Sequence, residues 1–536
     1  MTNGRSQGMI SEHTKTGIIQ NPILRGFNPD PCLVRAGEMY YIAVSSFEWL
    51  PGVRVYQSAD LAEWEHCTDI LTHQVDLRGN PKNCSIWAPQ LSYQDGLFYL
   101  IYTDVKSTKR PFKDCHNYLI TAPDIEGPWS EPVYLNSSGF DPSLYHDEDG
   151  RKWLLNELWD YRITEGNKSS GIVIQEYAPE QRRLIGEPVK IFDCTDLKKT
   201  EAPHIYKRGG YYYLITAEGG TGSGHAVTVA RSTSLLGPYE VDPLNPMLTS
   251  RNNPELPLQC AGHGSLVETP DGEWYMAHLC TRPLEGEYAI LGRETALQQV
   301  YWTEDGWLRL TSGGSTPLLE VQAPKGTKVG KQNRALDFED DFSGPALKKN
   351  WNTLRITADE SWCSLAERPG WLRIRAGESV QSLFRHHILA IRQTDSSFRA
   401  ETALEAEPAS YLQMAGLLLY LNEDNYLYAY ISHEEGRGKV LRLMRCAADE
   451  FTAEPVIIDL NAGETVQIAV EVSEVNAQFM YLAGEAAAWK PLGGEYNISF
   501  LSGGFTGNFV GIAAHDMGQF GGSSADFSYF RYQGKA

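Results

Sequence analysis

The sequence has little positive charge for its length and no pair of closely spaced cysteines. Its 536 residues contain 47 lysines and arginines against 68 aspartates and glutamates, a formal net charge of −21. Nucleic acids and anionic membranes are bound by clustered positive charge, so we expect neither as a partner. The nine cysteines include no C-x-x-C pair. This argues against a structural zinc site and against a disulfide framework.

Long apolar runs and nucleotide-binding loops are also missing. No stretch of about 18 apolar residues occurs, so the sequence predicts no transmembrane helix. Residues 1–20 are polar and lack the apolar core of a secretion signal. Together with reduced thiols, this predicts a cytoplasmic protein. We find no Walker A loop, no G-x-G-x-x-G turn after a strand and no G-x-S-x-G elbow, which argues against nucleotide-binding and serine-hydrolase sites.

A glycine turn followed by an aromatic segment recurs five times in the first 300 residues. The turn glycines are Gly37, Gly96, Gly150, Gly210 and Gly272. Each such turn before an aromatic segment is a hairpin signal. The spacing of about 60 residues, with several strands per unit, predicts a five-bladed β-propeller. Its closed ring would leave no long sheet edge exposed.

Other motifs define the rest of the chain. A second motif follows three of the hairpins, at 58–64, 122–129 and 232–239, and a sixth turn at 305–307 predicts a closing strand. Beyond Leu318 the period is lost, and alternating patterns such as 426–432 and 467–472 predict a β-sandwich. We therefore predict an all-β fold of four parts: an N-terminal extension (1–20), a propeller (21–320), a linker (321–336) and a β-sandwich domain (337–536).

The repeat register predicts which residues meet at the centre of the ring. The first strand of each blade lines the axis of a propeller, so equivalent residues converge there. We count nine residues back from the turn glycines and match the Asp-Pro pair at 30–31 to that at 141–142. The resulting set is Asp30, Trp87, Asp141, Glu201 and His263. Three converging carboxylates would be costly in an ordinary core, because they repel each other and lose hydration.

Each of these residues alone has an ordinary structural explanation as a turn former, a surface acid or a core ring. Together they match the requirement for cleaving a glycosidic bond, which is two carboxyl groups in different protonation states. A third carboxylate nearby would raise the pKa of the acid by repulsion. Trp87 would offer an apolar face to a sugar ring, and Phe47 and Trp159 could complete the pocket.

Several segments resemble glycoside hydrolase family 43, in particular its two-domain β-xylosidases, some of which also act on arabinofuranosides. The segments that carry the resemblance are 21–31, 41–52, 86–89, 140–143, 200–204 and 291–295. The resemblance extends over nearly the whole chain from about Asn21 onward. It implies a five-bladed propeller joined to a β-sandwich, and hydrolysis with inversion.

The resemblance also implies a role for each matching residue. Asp30 corresponds to the general base, Glu201 to the general acid, and Asp141 to the residue that orients the acid and tunes its pKa. Arg293 corresponds to a substrate-binding arginine and His263 to an axial histidine. The glycosidase reaction requires no cofactor. Some members hold calcium or water beside that histidine, so a bound calcium ion is possible here.

Two segments depart from the family pattern. Segment 282–288 is shorter than in related xylosidases, so a pocket wall or an oligomer contact is expected to differ. The relatives carry a Phe-Phe pair before Thr-Gly in the sandwich domain, where this sequence has Phe505 alone. Both departures bear on substrate preference more than on reaction type.

The function expected from the sequence is exo-acting, inverting release of terminal β-D-xylosyl units, with α-L-arabinofuranosyl units as a second specificity. Such an enzyme of xylan degradation would bind short oligosaccharides as its substrates. The sequence does not fix the oligomeric state, and a homo-oligomer is possible. One alternative is a retaining fructan or sucrose hydrolase, although its Glu-Cys and Arg-Asp-Pro motifs are replaced here around Glu201 and Asp141. A second alternative is a carbohydrate-binding propeller without catalysis.

Overall fold

The computed structural model describes residues 17–330, 332, 334–484 and 488–535. Most of the predicted N-terminal extension (1–20) therefore lies outside the described residues. The described chain is nearly all β-structure, with one 3-10 turn (Pro179–Gln181) and no α-helix. Within these ranges no helix is long and apolar enough to cross a bilayer.

The first half of the chain forms five antiparallel sheets, each built from strands that are consecutive in sequence. The strands up to the second sheet are β1 (Ile18–Gln20), β2 (Cys32–Ala36), β3 (Met39–Val44), β4 (Trp49–Leu50), β5 (Gly52–Ser58), β6 (Glu65–Leu71), β7 (Ser85–Gln94), β8 (Leu97–Ser107), β9 (Asp114–Ala122) and β10 (Val133–Asn136). The third to fifth sheets contain β11 (Ser143–His146), β12 (Lys152–Trp159), β13 (Ser169–Ala178), β14 (Arg183–Phe192), β15 (Glu201–Arg208), β16 (Tyr211–Glu218), β17 (Ala226–Ser232), β18 (Glu240–Val241), β19 (Leu248–Thr249), β20 (Gln259–Glu268), β21 (Trp274–Thr281), β22 (Glu294–Trp302) and β23 (Leu308–Leu310). The sheet orders are β2-β3-β5-β6, β7-β8-β9-β10, β11-β12-β13-β14, β15-β16-β17-β18 with β19 also on β17, and β20-β21-β22-β23.

The predicted turn glycines lie between the first and second strands of the five sheets. All five have a positive φ, from 63° to 87°, which glycine adopts without a steric penalty. The second motif lies between the third and fourth strands of the first, second and fourth sheets, and segment 305–307 forms the turn before β23. The prediction of five repeated hairpins is confirmed.

The inner strands of the five sheets bring the start of the chain beside the fifth sheet. Strands β2, β7, β11, β15 and β20 contact one another in that order, and β2 also contacts β20. Ser265 links the first and fifth sheets, because its hydroxyl donates to the Pro31 carbonyl (2.9 Å) and accepts from the Leu33 N–H (2.8 Å). The five inner strands therefore surround a common centre.

Ordered pairing continues into the predicted linker. Strand β24 (Glu320–Gln322) pairs antiparallel with β1. Val321 and Ala323 are buried in the same apolar cluster as Ile19 and Leu24, which explains why this segment packs on the first half. The start of the predicted linker (321–336) is thus a strand.

The second half consists of two sheets packed face to face. Its strands in chain order are β25 (Asp337–Asp340), β26 (Thr353–Leu354), β27 (Cys363–Ser364), β28 (Leu372–Arg375), β29 (Ile388–Arg392), β30 (Ser397–Ala406), β31 (Gln413–Asn422), β32 (Asn425–Glu434), β33 (Gly438–Ala447), β34 (Glu450–Asp459), β35 (Val466–Ser473), β36 (Asn476–Ala483), β37 (Lys490–Asn497), β38 (Phe509–Asp516) and β39 (Ser524–Gly534). One sheet contains β25, β27, β28, β30, β35, β36, β37 and β39, and the other contains β29, β31, β32, β33, β34 and β38. Apolar side chains from both sheets form one shared core, so this half is a β-sandwich.

The two halves share a buried aromatic interface. Strand β26 pairs with β4, and the Trp49 ring stacks on Phe509 with 3.6 Å between centroids. The Arg392 guanidinium Nε donates to the Phe27 carbonyl at 2.9 Å. This interface places the sandwich loop at 502–508 against the centre of the five sheets.

Candidate active site

Asp30 is a buried, ionised carboxylate at the centre of the ring. Its Oδ2 accepts a hydrogen bond from the Ser45 hydroxyl (2.6 Å), and its Oδ1 lies 2.7 Å from Arg293 Nη1 and 3.7 Å from His263 Nδ1. Burial alone would raise the pKa of Asp30, but Arg293, His263 and Ser45 together hold it below its usual value. Asp30 therefore keeps its negative charge at neutral pH.

The backbone at the centre repeats one unusual conformation in every sheet. The residues with this conformation are Asp30, Ala88, Asp141, Ala202 and His263, whose φ values run from 36° to 56°. Each stands three residues before an apolar position of an inner strand. By this register Trp87 and Glu201 lie one residue before the position of Asp141, so the nine-residue count is off by one there. The offset comes from the turns, because the turn glycine follows Leu91 and Ile205 by five residues but Leu144 and Leu266 by six. Two residues join β7 to β8 and β15 to β16, whereas five join β11 to β12 and β20 to β21.

Asp141 and Glu201 form a coupled pair of carboxyl groups. Burial, together with the charges of Glu201 and Asp30, raises the pKa of Asp141 well above its usual value. Burial also raises the pKa of Glu201 to about 7, against the lowering effect of Lys113. Because two close carboxylates resist ionising together, the pair retains a proton near neutral pH. The structure thus brings the three predicted carboxylates within electrostatic reach of each other, in two different protonation states.

The sequence did not predict two ionisable residues near this pair, Lys113 and Glu157. The Lys113 ammonium lies 4.0 Å from the Phe140 ring centroid and 4.1 Å from that of Trp159, and it opposes the raised pKa of Asp141 and Glu201. Glu157 is fully buried, and burial raises its pKa to about 8. Lys113 lies next to β9 at the far side of a hairpin, outside the inner-strand register, so no sequence pattern pointed to it.

Aromatic rings surround the carboxyl groups. Trp87 lies 5.9 Å from Phe47, 5.6 Å from Phe140 and 5.6 Å from Phe505, measured between ring centroids. Its indole N–H donates to the Asn83 carbonyl at 3.2 Å. Trp159 is half-buried and reaches Phe140 at 6.3 Å. Such rings offer apolar faces, which suits the C–H faces of a sugar.

Phe505 reaches this site from the sandwich domain. Its backbone N–H donates to Asn83 Oδ1 (2.8 Å), and its carbonyl accepts from Arg293 Nε (3.0 Å). The Arg293 guanidinium also lies 5.3 Å from the centre of the Phe47 ring. A single phenylalanine at 505 is thus placed beside the carboxylate cluster, where the resemblance expects a pair.

The short segment at 282–288 and its continuation pack against the sandwich domain. Leu284 and Tyr288 contact the sandwich core, and Ile290 is buried in it. A Cβ on Gly292 would lie 2.6 Å from the Cα of Gly507. Glycines at both positions let the backbone that carries Arg293 approach the backbone that carries Phe505.

The histidines at the centre are neutral. Burial lowers the pKa of His263, and it lowers that of the neighbouring His225 to about 3. The His225 ring occupies the space beside Gly262, where a Cβ would lie only 2.4 Å from the ring. His225 was not predicted, because it directly precedes β17, the third strand of its sheet, and does not lie on an inner strand.

Calcium takes six to eight oxygen ligands, from carboxylates, carbonyls and water. The Asp30 carboxylate is already bonded to Ser45 and Arg293. Across the described ranges, no three or more His, Cys, Asp or Glu side chains are grouped to hold a metal ion.

An ionised carboxylate facing a protonated carboxyl pair, among aromatic rings, supplies the groups needed to cleave a glycosidic bond. The site is that of a glycoside hydrolase. Residues 19–308 match the family model described as Glycosyl hydrolases family 43. Residues 339–533 match the model described as Beta xylosidase C-terminal Concanavalin A-like domain. The chain belongs to glycosyl hydrolases family 43.

Relatives match along nearly the whole chain. A Beta-xylosidase of Bacillus subtilis (strain 168) is 44% identical, with 96% of this chain and 100% of the relative covered. The Xylosidase/arabinosidase 43B of Humicola insolens is 43% identical, with 96% and 97% covered. A crystal structure of xylan beta-1,4-xylosidase from Bacillus halodurans C-125 superposes with a TM-score of 0.93 at 49% identity, covering 96% and 100% of the two chains. The fructan-type and non-catalytic alternatives are not favoured by these matches.

Proposed function

We propose that this glycosidase is an exo-acting, inverting enzyme that releases terminal β-D-xylosyl units from short xylo-oligosaccharides. The activity would extend to α-L-arabinofuranosyl units. The activities for which the relatives are named support the substrate class. The mechanism is supported by the buried position of Asp30, bonded to Ser45 and Arg293, near Asp141 and Glu201. The charge of Arg293 lowers the pKa of Asp30, whereas burial raises the pKa of Asp141 and of Glu201.

The fold that goes with this proposal is a five-bladed β-propeller followed by the β-sandwich. Five antiparallel sheets in chain order, four of four strands and one of five, with their inner strands in one closed series of contacts, support it. In such a ring the inner strands meet at one axis, which accounts for carboxyl groups from three sheets at a single site.

Asp30 serves as the general base. In an inverting enzyme, a carboxylate takes a proton from water while that water attacks the anomeric carbon on the face opposite the leaving group. The hydrogen bond from Ser45 and the ion pair with Arg293 keep Asp30 ionised and fix its direction. Arg293 remains bonded to Asp30 and Phe505, so its guanidinium stands beside the position of the sugar.

Glu201 serves as the general acid. A pKa of about 7 keeps a proton on Glu201 below neutral pH, ready for transfer to the leaving oxygen. The charge of Glu201 raises the pKa of Asp141. Because this repulsion is mutual, a negative charge on Asp141 strengthens the hold of Glu201 on its proton. Positive charge at Lys113 opposes this effect and prevents the pKa of Glu201 from rising further.

Exo-action follows from the closed surroundings of the carboxyl groups. Phe47, Trp87 and Phe505 contact one another, and the last comes from the second domain. A terminal sugar can enter such a pocket, while the rest of the bound oligosaccharide extends out through its mouth. We propose that no metal is required, because the protein side chains supply the acid and the base.

Leaving-group dependence tests the acid role. Glu201→Ala should nearly abolish hydrolysis of xylobiose, while an aryl xyloside with a good leaving group should lose much less, because it needs no proton. Asp30→Ala should abolish both, because water still needs its base. The matched control is Glu268→Ala, which alters an exposed glutamate at the last residue of β20. It should leave both rates unchanged.

The stereochemical course is read from the first product. Proton NMR in the first seconds of hydrolysis of an aryl β-D-xyloside should show α-xylose before mutarotation. Initial β-xylose would contradict inversion, and equal losses on both substrates in Glu201→Ala would contradict the acid role.

A further inference from the structure

Two exposed aromatic rings stand side by side outside the carboxyl site. Phe112 is 56% exposed and Tyr161 is 55% exposed, and their ring centroids are 5.2 Å apart. Phe112 lies in the loop between β8 and β9 of the second sheet, and Tyr161 in the loop between β12 and β13 of the third. Paired exposed rings are unfavourable in water, and such pairs commonly mark a binding surface.

These two rings are joined to the wall of the active site. The indole N–H of Trp159 donates to the Pro111 carbonyl at 3.0 Å, which ties the Phe112 loop to the pocket wall. The same Trp159 contacts Phe140, which contacts Trp87. An aromatic path therefore runs from the carboxyl groups to the surface.

Both loops hold their rings in place before any ligand arrives. Asp160 accepts hydrogen bonds from the Arg162 backbone N–H (3.0 Å) and guanidinium Nε (2.8 Å), and its own N–H donates to the Lys168 carbonyl (2.8 Å). These bonds close the turn that presents Tyr161. A preformed surface loses little conformational entropy on binding.

We propose that Phe112 and Tyr161 form a platform that binds the third sugar of an oligosaccharide, counted from the terminal unit that is cleaved. This inference rests on the proposed exo-glycosidase function, since the part of the bound oligosaccharide beyond the cleaved unit must extend out through the mouth of the pocket. The C–H face of a xylosyl ring is apolar and flat enough to pack on such rings. The platform favours xylotriose and longer chains over xylobiose.

Substrate length separates this role from a structural one. In the wild-type enzyme, kcat/KM should be higher for xylotriose than for xylobiose. Phe112→Ala and Tyr161→Ala should each lower kcat/KM for xylotriose and xylotetraose by about 3- to 10-fold. Xylobiose and an aryl xyloside should stay within about twofold, because neither reaches the platform. Tyr161→Phe should keep the wild-type preference.

The matched control is Tyr411→Ala, which removes a 56% exposed ring from the sandwich domain and should change no substrate. Equal losses on xylobiose and xylotriose, or none on either, would overturn the platform while leaving the glycosidase proposal intact. A wild-type enzyme inactive on xylobiose and aryl xylosides would refute the proposed function and the platform with it. Gel filtration of both variants should match the wild type, and a change of oligomeric state would identify the rings as a contact between copies and overturn the platform.

Discussion

Removing the guanidinium of Arg293 should move the pH profile of the enzyme to higher pH. Arg293 Nη1 lies 2.7 Å from Asp30 Oδ1, and the two side chains are only 7% and 6% exposed. Burial raises the pKa of Asp30, and Arg293 is the strongest of the groups that lower it again. In Arg293→Gln the buried Asp30 carboxylate keeps His263 and Ser45 as neighbours but loses the positive charge of the guanidinium.

The size of the shift follows from the bond that is lost. A hydrogen bond to a charged group contributes about 1.5–3 kcal/mol, and about 1.4 kcal/mol corresponds to one pKa unit. The pKa of Asp30 should therefore rise by about 1–2 units. Because the base works only when ionised, the acid limb of kcat/KM moves up by the same amount. Arg293 also lowers the pKa of Glu201, so the alkaline limb moves up, by less.

The assay is kcat/KM for an aryl xyloside between about pH 4 and pH 9, fitted to two ionisations. Arg293→Lys retains a charge without the planar fork and should shift the acid limb less. Arg309→Gln is the control: it breaks another arginine–aspartate pair, with Asp242, away from the ring centre. It should lower stability and leave both limbs in place. An acid limb that stays fixed or moves down in Arg293→Gln would refute this account of Asp30.

Three further outcomes follow from the same site. Since Glu201 must be protonated and its pKa is about 7, kcat/KM for xylobiose should fall as the pH rises above about 7, and a flat profile to about pH 9 would contradict this. Gly262→Ala should lower the free energy of unfolding by about 1–3 kcal/mol, because the new methyl group meets the His225 ring, and thermal unfolding of the double variant with His225→Ala should show partial recovery. Dialysis against EDTA should leave hydrolysis of xylobiose unchanged, since the proposed acid and base are protein side chains, and loss of activity restored by added calcium would contradict this.

Local turn chemistry made the repeats predictable, whereas the completed site depends on contacts distant in sequence. A glycine turn before an aromatic segment marks a hairpin on its own, so all five turns could be found without any tertiary information. The one-residue offset of Trp87 and Glu201 arises from the different lengths of the hairpin turns, which a count from the glycines alone does not reveal. Lys113 and Asn83 act through rings and backbone groups of other elements. No periodic pattern connects them to the carboxylates.

The bond between Phe505 and Asn83 joins residues 422 positions apart, and this has a consequence for biosynthesis. A polypeptide emerges from the ribosome with its N-terminal part first. Until the sandwich domain has been translated and docked, the site in the first half therefore lacks Phe505, and Arg293 lacks the Phe505 carbonyl as a partner. Catalytic competence is then a late event, and turnover reports on the integrity of both domains at once.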